Sequence, residues 1–201
     1  MIWYFAAGSD HKPARTLPYF GPKNSDSGYV HRVGPFGFVN QDGDSITNQF
    51  FDGHIYVTEF FFTTCQSICP VMNEHLQAIY AEFSAEPELL LLSHTVDPET
   101  DKVEVLKQYA TEKGVSDDRW QFVTGPKTEL YRMAREAYLL DSSPAAHPDE
   151  DFVHTQKFAL VDADKRIRGY YDGTDSVEIV RLSQDIKILL KEHRYLEKAA
   201  D

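Results

Sequence analysis

The chain has 201 residues, of which 42% are hydrophobic and 26% charged, and this is enough apolar material for the core of one domain. The net charge of -12 argues against a nucleic-acid or anionic-membrane partner, since such surfaces are normally met by basic patches. No run approaches the roughly 18 to 20 apolar residues of a membrane-spanning helix, so none is predicted within the chain.

The N-terminal region is predicted to form an irregular arm over residues 1–35. Residues 8–35 are rich in glycine, proline, serine and charged side chains, which is typical of segments without regular structure. We expect this arm to lie on a single domain that spans residues 36–201 and to act as a tether.

The first half of the domain alternates strands and helices. Asp42-Gly43 stands between apolar positions and predicts a β-hairpin at the start of the domain. The β-branched and aromatic run 55–62 predicts a central strand that is buried on both faces. Pro70 then fits the first turn of a helix that reaches about Phe83, with Val71 among its apolar residues.

The second half continues this alternation and ends with an antiparallel pair. The predicted elements are a buried strand at 89–96, a helix after Thr100, a strand at 120–123, a helix at 128–139 with Thr128 as N-cap, an acidic loop at 141–151, paired strands at 155–161 and 167–171, and a helix at 177–196. This order predicts an α/β protein with a thioredoxin-like fold: a central mixed sheet flanked by helices, with an N-terminal β-hairpin.

The two cysteines lie only four positions apart, in Cys65-Gln-Ser-Ile-Cys69-Pro70, where the buried strand gives way to the helix. This spacing indicates a redox or metal motif rather than a structural disulfide. Unpaired amides and the helix dipole favour thiolates there, so at least one cysteine should have a lowered pKa. Two thiolates select Cu(I) or zinc, and one added imidazole makes a set that suits copper. A redox dithiol without metal stays open as the alternative.

Three segments of the chain are similar to the signature blocks of the Sco/SenC family. They are FFFTTCQSICP at 60–70, TVDPETD at 95–101 and VHTQKFALVD at 153–162, and the resemblance extends from about residue 36 to residue 190. Spacing alone does not choose a third ligand among the eight histidines. The resemblance implies that copper is bound by Cys65, Cys69 and His154 in a thioredoxin-like fold.

The same resemblance implies a function and a location. Members of the family are copper chaperones that deliver copper to the dinuclear copper site of cytochrome c oxidase or reduce the cysteines of that site. The expected partners are therefore a copper-containing oxidase subunit or another cuproprotein, and a thiol reductant. The expected location is extracytoplasmic, on the periplasmic side, with membrane contact only through an N-terminal anchor that is absent from this chain.

Other residues are weaker candidates for the site. Asp97 resembles the family's acidic residue and is expected either beside the copper ligands or at the start of a helix. His147 lies in the acidic loop and is a spare candidate, whereas His75 and His94 are less favoured. Gln66-Ser67 replaces a Pro-Asp pair that the family often has, which affects the expected redox potential more than the ligand set.

Two other functions use the same cysteines. In a thiol-disulfide oxidoreductase, Cys65 attacks a disulfide and Cys69 resolves the intermediate. We expect the chain to be a metallochaperone, and this enzymatic activity stays open as an alternative. The three-residue spacer, and Val153-His154 where such enzymes have a proline, favour the metal. A copper or redox sensor is the second alternative.

Overall fold

The computed structural model describes residues 15–24, 28–140 and 155–200. The predicted acidic loop, with His147, and the candidate ligand His154 lie outside the described residues, as does the start of the arm. None of the helices within the described ranges has the length and apolar character needed to cross a membrane.

The described residues form a mixed seven-stranded sheet and four α-helices. The strands are β1 (Lys23–Asn24), β2 (Tyr29–Val30), β3 (Gly37–Asn40), β4 (Ser45–Thr47), β5 (Ile55–Phe61), β6 (Leu89–Thr95), β7 (Trp120–Thr124), β8 (Lys157–Val161) and β9 (Ile167–Asp172). The helices are α1 (Cys69–Glu82), α2 (Val103–Glu112), α3 (Lys127–Arg132) and α4 (Ser176–Ala200), with a 3-10 turn at Asn48–Phe51 and a π-helix at Met133–Ala137.

The order of strands in the large sheet is β4-β3-β7-β6-β5-β8-β9, and β1 pairs separately with β2. Strand β6 pairs in parallel with β5 and β7, while the other pairs are antiparallel. Every residue of β5 and β6 is buried, as their continuous apolar runs predict. The predicted thioredoxin-like fold and its N-terminal hairpin, β3-β4, are confirmed.

Hydrophobic clusters cover both faces of the sheet. One cluster joins Ile55, Val57 and Phe61 of β5 to α1, α2 and α4, and the other joins Tyr56 and Phe60 of β5 to α3 and the β3-β4 hairpin. The two clusters follow from the strand period of two, which sends successive side chains of β5 to opposite faces. The cysteine motif lies at the end of β5, between this sheet and α1.

The arm packs on the domain. Leu17 is buried, and the guanidinium of Arg168 donates hydrogen bonds to the carbonyl oxygens of Leu17 and Pro18 at 2.7 and 3.1 Å. The amide of Phe20 donates to the carbonyl of Ile167 at 2.9 Å. The arm also contains the short β1-β2 pair, where little regular structure was expected, and the division at residue 35 stays a prediction.

Helix α3 differs from its prediction at both ends. It begins at Lys127, and its N-cap residue is Pro126, whose backbone is extended. Thr128 therefore lies inside the helix and is not its N-cap. The helix then widens into the π-helix, in which the amide of Tyr138 bonds the carbonyl of Met133 at 2.8 Å, so the regular helix does not reach residue 139.

The buried face of α1 includes Met72 and leaves out Val71. Val71, named among the apolar residues of the predicted helix, is 40% exposed, whereas Met72 is fully buried. Helix α1 begins at Cys69, and residues three and seven positions later, Met72 and Leu76, share its inward face. Val71 lies outside this stripe.

Candidate metal and thiol site

The two cysteines lie where β5 ends and α1 begins. Cys65 occupies the turn between the two elements, and its amide donates a hydrogen bond to the carbonyl of Phe62 at 3.2 Å. Cys69 is the first residue of α1 and is only 4% exposed, while Cys65 is partly exposed. Both are free thiols in this structure.

The two thiols have opposite electrostatic environments. Partial burial opposes ionisation of Cys65, but hydrogen bonds from Cys69 and Ser67 outweigh it and lower the pKa of Cys65 to about 7. Burial, followed by the hydrogen bond to Cys65, raises the pKa of Cys69 to about 12. The predicted lowering of one thiol pKa is therefore confirmed for Cys65, and hydrogen bonds account for it.

The cysteines share a small, mainly apolar pocket of about 50 Å³. Its lining residues are Phe60, Phe61, Phe62, Cys65, Ser67, Ile68, Cys69, Val96 and Thr155. Thr155 is the residue immediately after His154 in the chain and is itself buried. The chain therefore reaches the pocket of the two cysteines at Thr155, which is one residue after the predicted third ligand, His154.

Asp101 fixes the turn that carries Cys65, a role that sequence reasoning missed. Its buried carboxylate accepts hydrogen bonds from the amide of Thr63 at 3.2 Å and from the hydroxyls of Thr63 and Thr95, each at 2.5 Å. These bonds tie the end of β5 to the end of β6. The acid within the TVDPETD segment was the available signal, but its partner Thr63 lies 38 positions away.

Asp97 does not cap α2, because the residue before that helix is Lys102 and no side chain caps it. The amide of Asp97 bonds the hydroxyl of Thr95 at 2.9 Å, and its carbonyl accepts from the amide of Asp101 at 2.8 Å. Asp97 is not among the described residues that line the cysteine pocket. Its proposed place beside the copper ligands stays a prediction.

Comparison with known proteins identifies the family. The SCO1/SenC family model matches residues 25–191, which is most of the chain. The chain belongs to the SCO1/SenC family.

Sequence relatives include the SCO1 protein homolog of Bacillus subtilis (strain 168), which is 30% identical over 160 residues that cover 78% of this chain and 82% of that protein. The mitochondrial SCO1 homolog of Homo sapiens is 28% identical over 144 residues, covering 69% of this chain but 46% of that protein. This Sco-family chain therefore spans less than half the length of its human relative.

Solved structures agree with the fold. BsSco, described as a member of the Sco family of cytochrome c oxidase assembly proteins with a disulfide switch, superposes with a TM-score of 0.66 at 31% identity, covering 78% of this chain and 92% of BsSco. Copper-bound ScoI of Bradyrhizobium japonicum superposes with a TM-score of 0.62 at 21% identity, covering 79% and 99%.

Two of the other histidine candidates, His75 and His94, have partners of their own in the described part of this Sco-family chain. The Nδ1 atom of His75 pairs with the carbonyl of Gly173 at 2.8 Å. His94 is fully buried, stacks on Phe60 with ring centroids 4.7 Å apart, and pairs its Nδ1 atom with the hydroxyl of Thr58 at 3.1 Å. Burial lowers the pKa of His94 to about 3. Within the described ranges, no group of three or more His, Cys, Asp or Glu side chains is arranged as a metal site.

A buried acid near the cysteines was also missed. Glu59 interrupts the apolar residues of β5, and this interruption was the visible signal. Its Oε1 atom accepts a hydrogen bond from the hydroxyl of Ser93 at 2.8 Å, and that hydroxyl accepts one from the indole of Trp120 at 3.0 Å. Burial raises the pKa of Glu59 to about 7.

Proposed function

We propose that this chain is a copper chaperone that holds the ion through the sulfurs of Cys65 and Cys69 and the imidazole of His154. The supporting observation is the pocket that both cysteines share with Thr155, the residue next to His154. Copper is the cargo of the protein, and the three side chains are its carrier.

The chemistry of the pocket suits Cu(I). Thiolates are soft ligands that favour this ion, and the surrounding Phe, Ile and Val side chains limit the access of water. Both sulfurs must be deprotonated to bind copper, so loading displaces the proton of Cys69 and affinity falls as the pH falls. Release to a partner then depends on a competing set of ligands rather than on an open coordination position.

We further propose that the recipient is the dinuclear copper site of cytochrome c oxidase, in an oxidase subunit, or another cuproprotein. This rests on the family, whose member BsSco is described as a cytochrome c oxidase assembly protein. The proposed location is the extracytoplasmic face of a membrane, held by an N-terminal anchor. A SCO1/SenC family lipoprotein of Bacillus anthracis, which is similar in structure to this chain, supports membrane association.

The test is an anaerobic titration of the reduced protein with Cu(I) and Cu(II) against a competing chelator. Wild type is compared with Cys65→Ala, Cys69→Ala and His154→Ala, and His54→Ala is the matched control. His54 precedes β5, at the end of the strand opposite the cysteines, and pairs its Nδ1 atom with the backbone of Asp52.

We expect one-to-one binding that each ligand change weakens by more than about 100-fold, beyond the loss typical of groups that only support ligands. His54→Ala should bind as wild type does. Weak binding by wild type, or a His154→Ala variant that binds normally, would overturn the proposed ligand set.

A second function, reduction of a partner's disulfide, is favoured by the asymmetry of the thiols. Cys65 is accessible and its pKa is about 7, whereas Cys69 is buried and its pKa is about 12. The thiolate of Cys65 would attack the disulfide and release one partner thiolate. Cys69, after losing its proton, would attack the Cys65 sulfur and release the second, so that two electrons pass to the partner and a Cys65–Cys69 disulfide forms.

The same variants separate the two functions. If copper binds weakly and His154→Ala changes nothing, while Cys65 and Cys69 cycle readily against a disulfide substrate, then thiol reduction is the function and copper transfer is not.

A further inference from the structure

Two fully buried polar side chains lie on the side of the sheet that α1 covers. They are Glu59 on β5 and Asn73 on α1, and each is 0% exposed. Alternation along β5 sends Glu59 to the same face as Val57 and Phe61, which pack in one cluster with the α1 residues. Asn73 lies one helical turn after Cys69 on α1.

Each of these side chains has one satisfied atom and one orphaned acceptor. Oε1 of Glu59 accepts from Ser93, but its Oε2 atom has no hydrogen-bond partner among the described residues. Nδ2 of Asn73 donates to the carbonyl of Cys69 at 3.0 Å, but its Oδ1 atom is likewise without a partner in the described part of the chain. Buried polar atoms are rarely left in this state, so the pair requires an explanation.

One proton on Glu59 would give both atoms a partner. A protonated Oε2 becomes a hydrogen-bond donor, and Oδ1 of Asn73 is an acceptor that needs one. The surroundings favour this neutral form, because burial raises the pKa of Glu59 to about 7, despite the hydrogen bond from Ser93 and the positive charge of Lys113, which lower it. Glu59 also influences Cys69 on α1 and Tyr109 on α2, and a negative Glu59 raises the pKa of each.

We propose that Glu59 is a positioning residue for the metal and thiol site: as a neutral carboxylic acid it donates its Oε2 proton to Oδ1 of Asn73, directly or through one water. This proposal rests on the proposed function of the cysteines and extends it to a residue that touches neither copper nor substrate.

The result is a continuous series of hydrogen bonds from the core to the site. The indole of Trp120 donates to Ser93, and Ser93 donates to Glu59. Glu59 donates to Asn73, and Asn73 donates to the backbone of Cys69. Every donor in the series has one acceptor, so the first turn of α1, and with it the Cys69 sulfur, is held in one orientation.

The test compares two substitutions of equal length. Glu59→Gln keeps an acceptor for Ser93 and supplies an amide donor for Asn73, whereas Glu59→Met fills the space and forms neither bond. Cu(I) affinity by chelator competition and the reduction potential of the Cys65–Cys69 disulfide are measured for both, at pH 6. Thr58→Val is the control, because it removes a buried hydrogen bond on the opposite face of the sheet.

We expect Glu59→Gln to bind Cu(I) within about threefold of wild type, and Glu59→Met to bind about 10- to 100-fold more weakly, as is typical when a group supporting the ligands is lost. Thr58→Val should lower thermal stability and leave both site measurements unchanged. A Glu59→Gln variant as impaired as Glu59→Met would overturn the proposal, because it would mean that the site needs the charge. Normal values for Glu59→Met would overturn it as well.

A second measurement is independent of copper. The infrared spectrum of the reduced, metal-free protein at pH 6 should contain the carbonyl band of a protonated carboxyl group, and Glu59→Gln should remove that band. Loss of the band would support the proposal even if wild type failed to bind copper, whereas an unchanged spectrum would overturn it. The failure of the positioning role can thus be told apart from the failure of the copper site.

Discussion

The turn that carries Cys65 should depend on Asp101 more than on any other acid near the site. We predict that Asp101→Ala lowers the free energy of unfolding by about 3–5 kcal/mol. The carboxylate accepts three hydrogen bonds, from the amide and hydroxyl of Thr63 and the hydroxyl of Thr95. Each buried donor left without an acceptor costs about 1–3 kcal/mol, and partial exposure of Thr63 lets water replace part of the loss.

The assay is urea denaturation with linear extrapolation, and Asp164→Ala, a largely exposed acid, is the control. Asp101→Asn should fall between wild type and Asp101→Ala, because it retains one acceptor oxygen and places an amide against the remaining donor. In both variants Cys65 should also react faster with an alkylating agent, since the turn that orients it is released. A loss below about 1 kcal/mol for Asp101→Ala would refute the assigned role, because the three bonds would then contribute no more than one ordinary hydrogen bond.

Three further predictions concern titration and buried charge. Alkylation of Cys65 should reach half its maximal rate near pH 7, because its pKa is about 7, while Cys69, with a pKa of about 12, reacts slowly; a midpoint above pH 8.5 would contradict this. Burial lowers the pKa of His94 from its ordinary value of 6.5 to about 3 in the folded protein, so the unfolded chain takes up the proton first and stability is lost as the pH falls below 6.5. The free energy of unfolding should be about 2 kcal/mol lower at pH 5 than at pH 7, as measured by urea titrations at both pH values. His94→Phe should abolish this difference. Arg168→Met should cost about 3–5 kcal/mol, because it removes the cation paired with the buried carboxylate of Glu192 and leaves Asp162 paired with Arg166 alone; an unchanged urea midpoint would contradict this.

The fold and the cysteine junction were predictable because their signals are local. The apolar run of β5 and Pro70 at the start of α1 lie within 16 residues of each other, and together they place the cysteines between a buried strand and a helix. The Asp42-Gly43 hairpin depended on turn chemistry in the same local way. The order of the strands was not predictable from local signals, since β7 lies between β3 and β6 only because of pairings between distant segments.

The residues that support the site were not predictable from the sequence, for a related reason. Asp101 holds Thr63, and Glu59 holds Ser93, across 38 and 34 positions of sequence. A single sequence contains no pattern that joins such partners, although the acid within an apolar strand indicates that one must exist. The residue at which α1 begins decides which of its side chains face the core. Because the helix begins at Cys69, Met72 is buried and Val71 is exposed.

We propose that copper is held by two sulfurs and one imidazole nitrogen, and X-ray absorption spectroscopy of the Cu(I)-loaded protein observes these ligands at the metal itself, with His154→Ala as the comparison. Wild type should show two sulfur scatterers and one nitrogen scatterer from a histidine ring, and the nitrogen should be lost in His154→Ala. A copper site made of sulfur alone, or a spectrum that His154→Ala leaves unchanged, would contradict it.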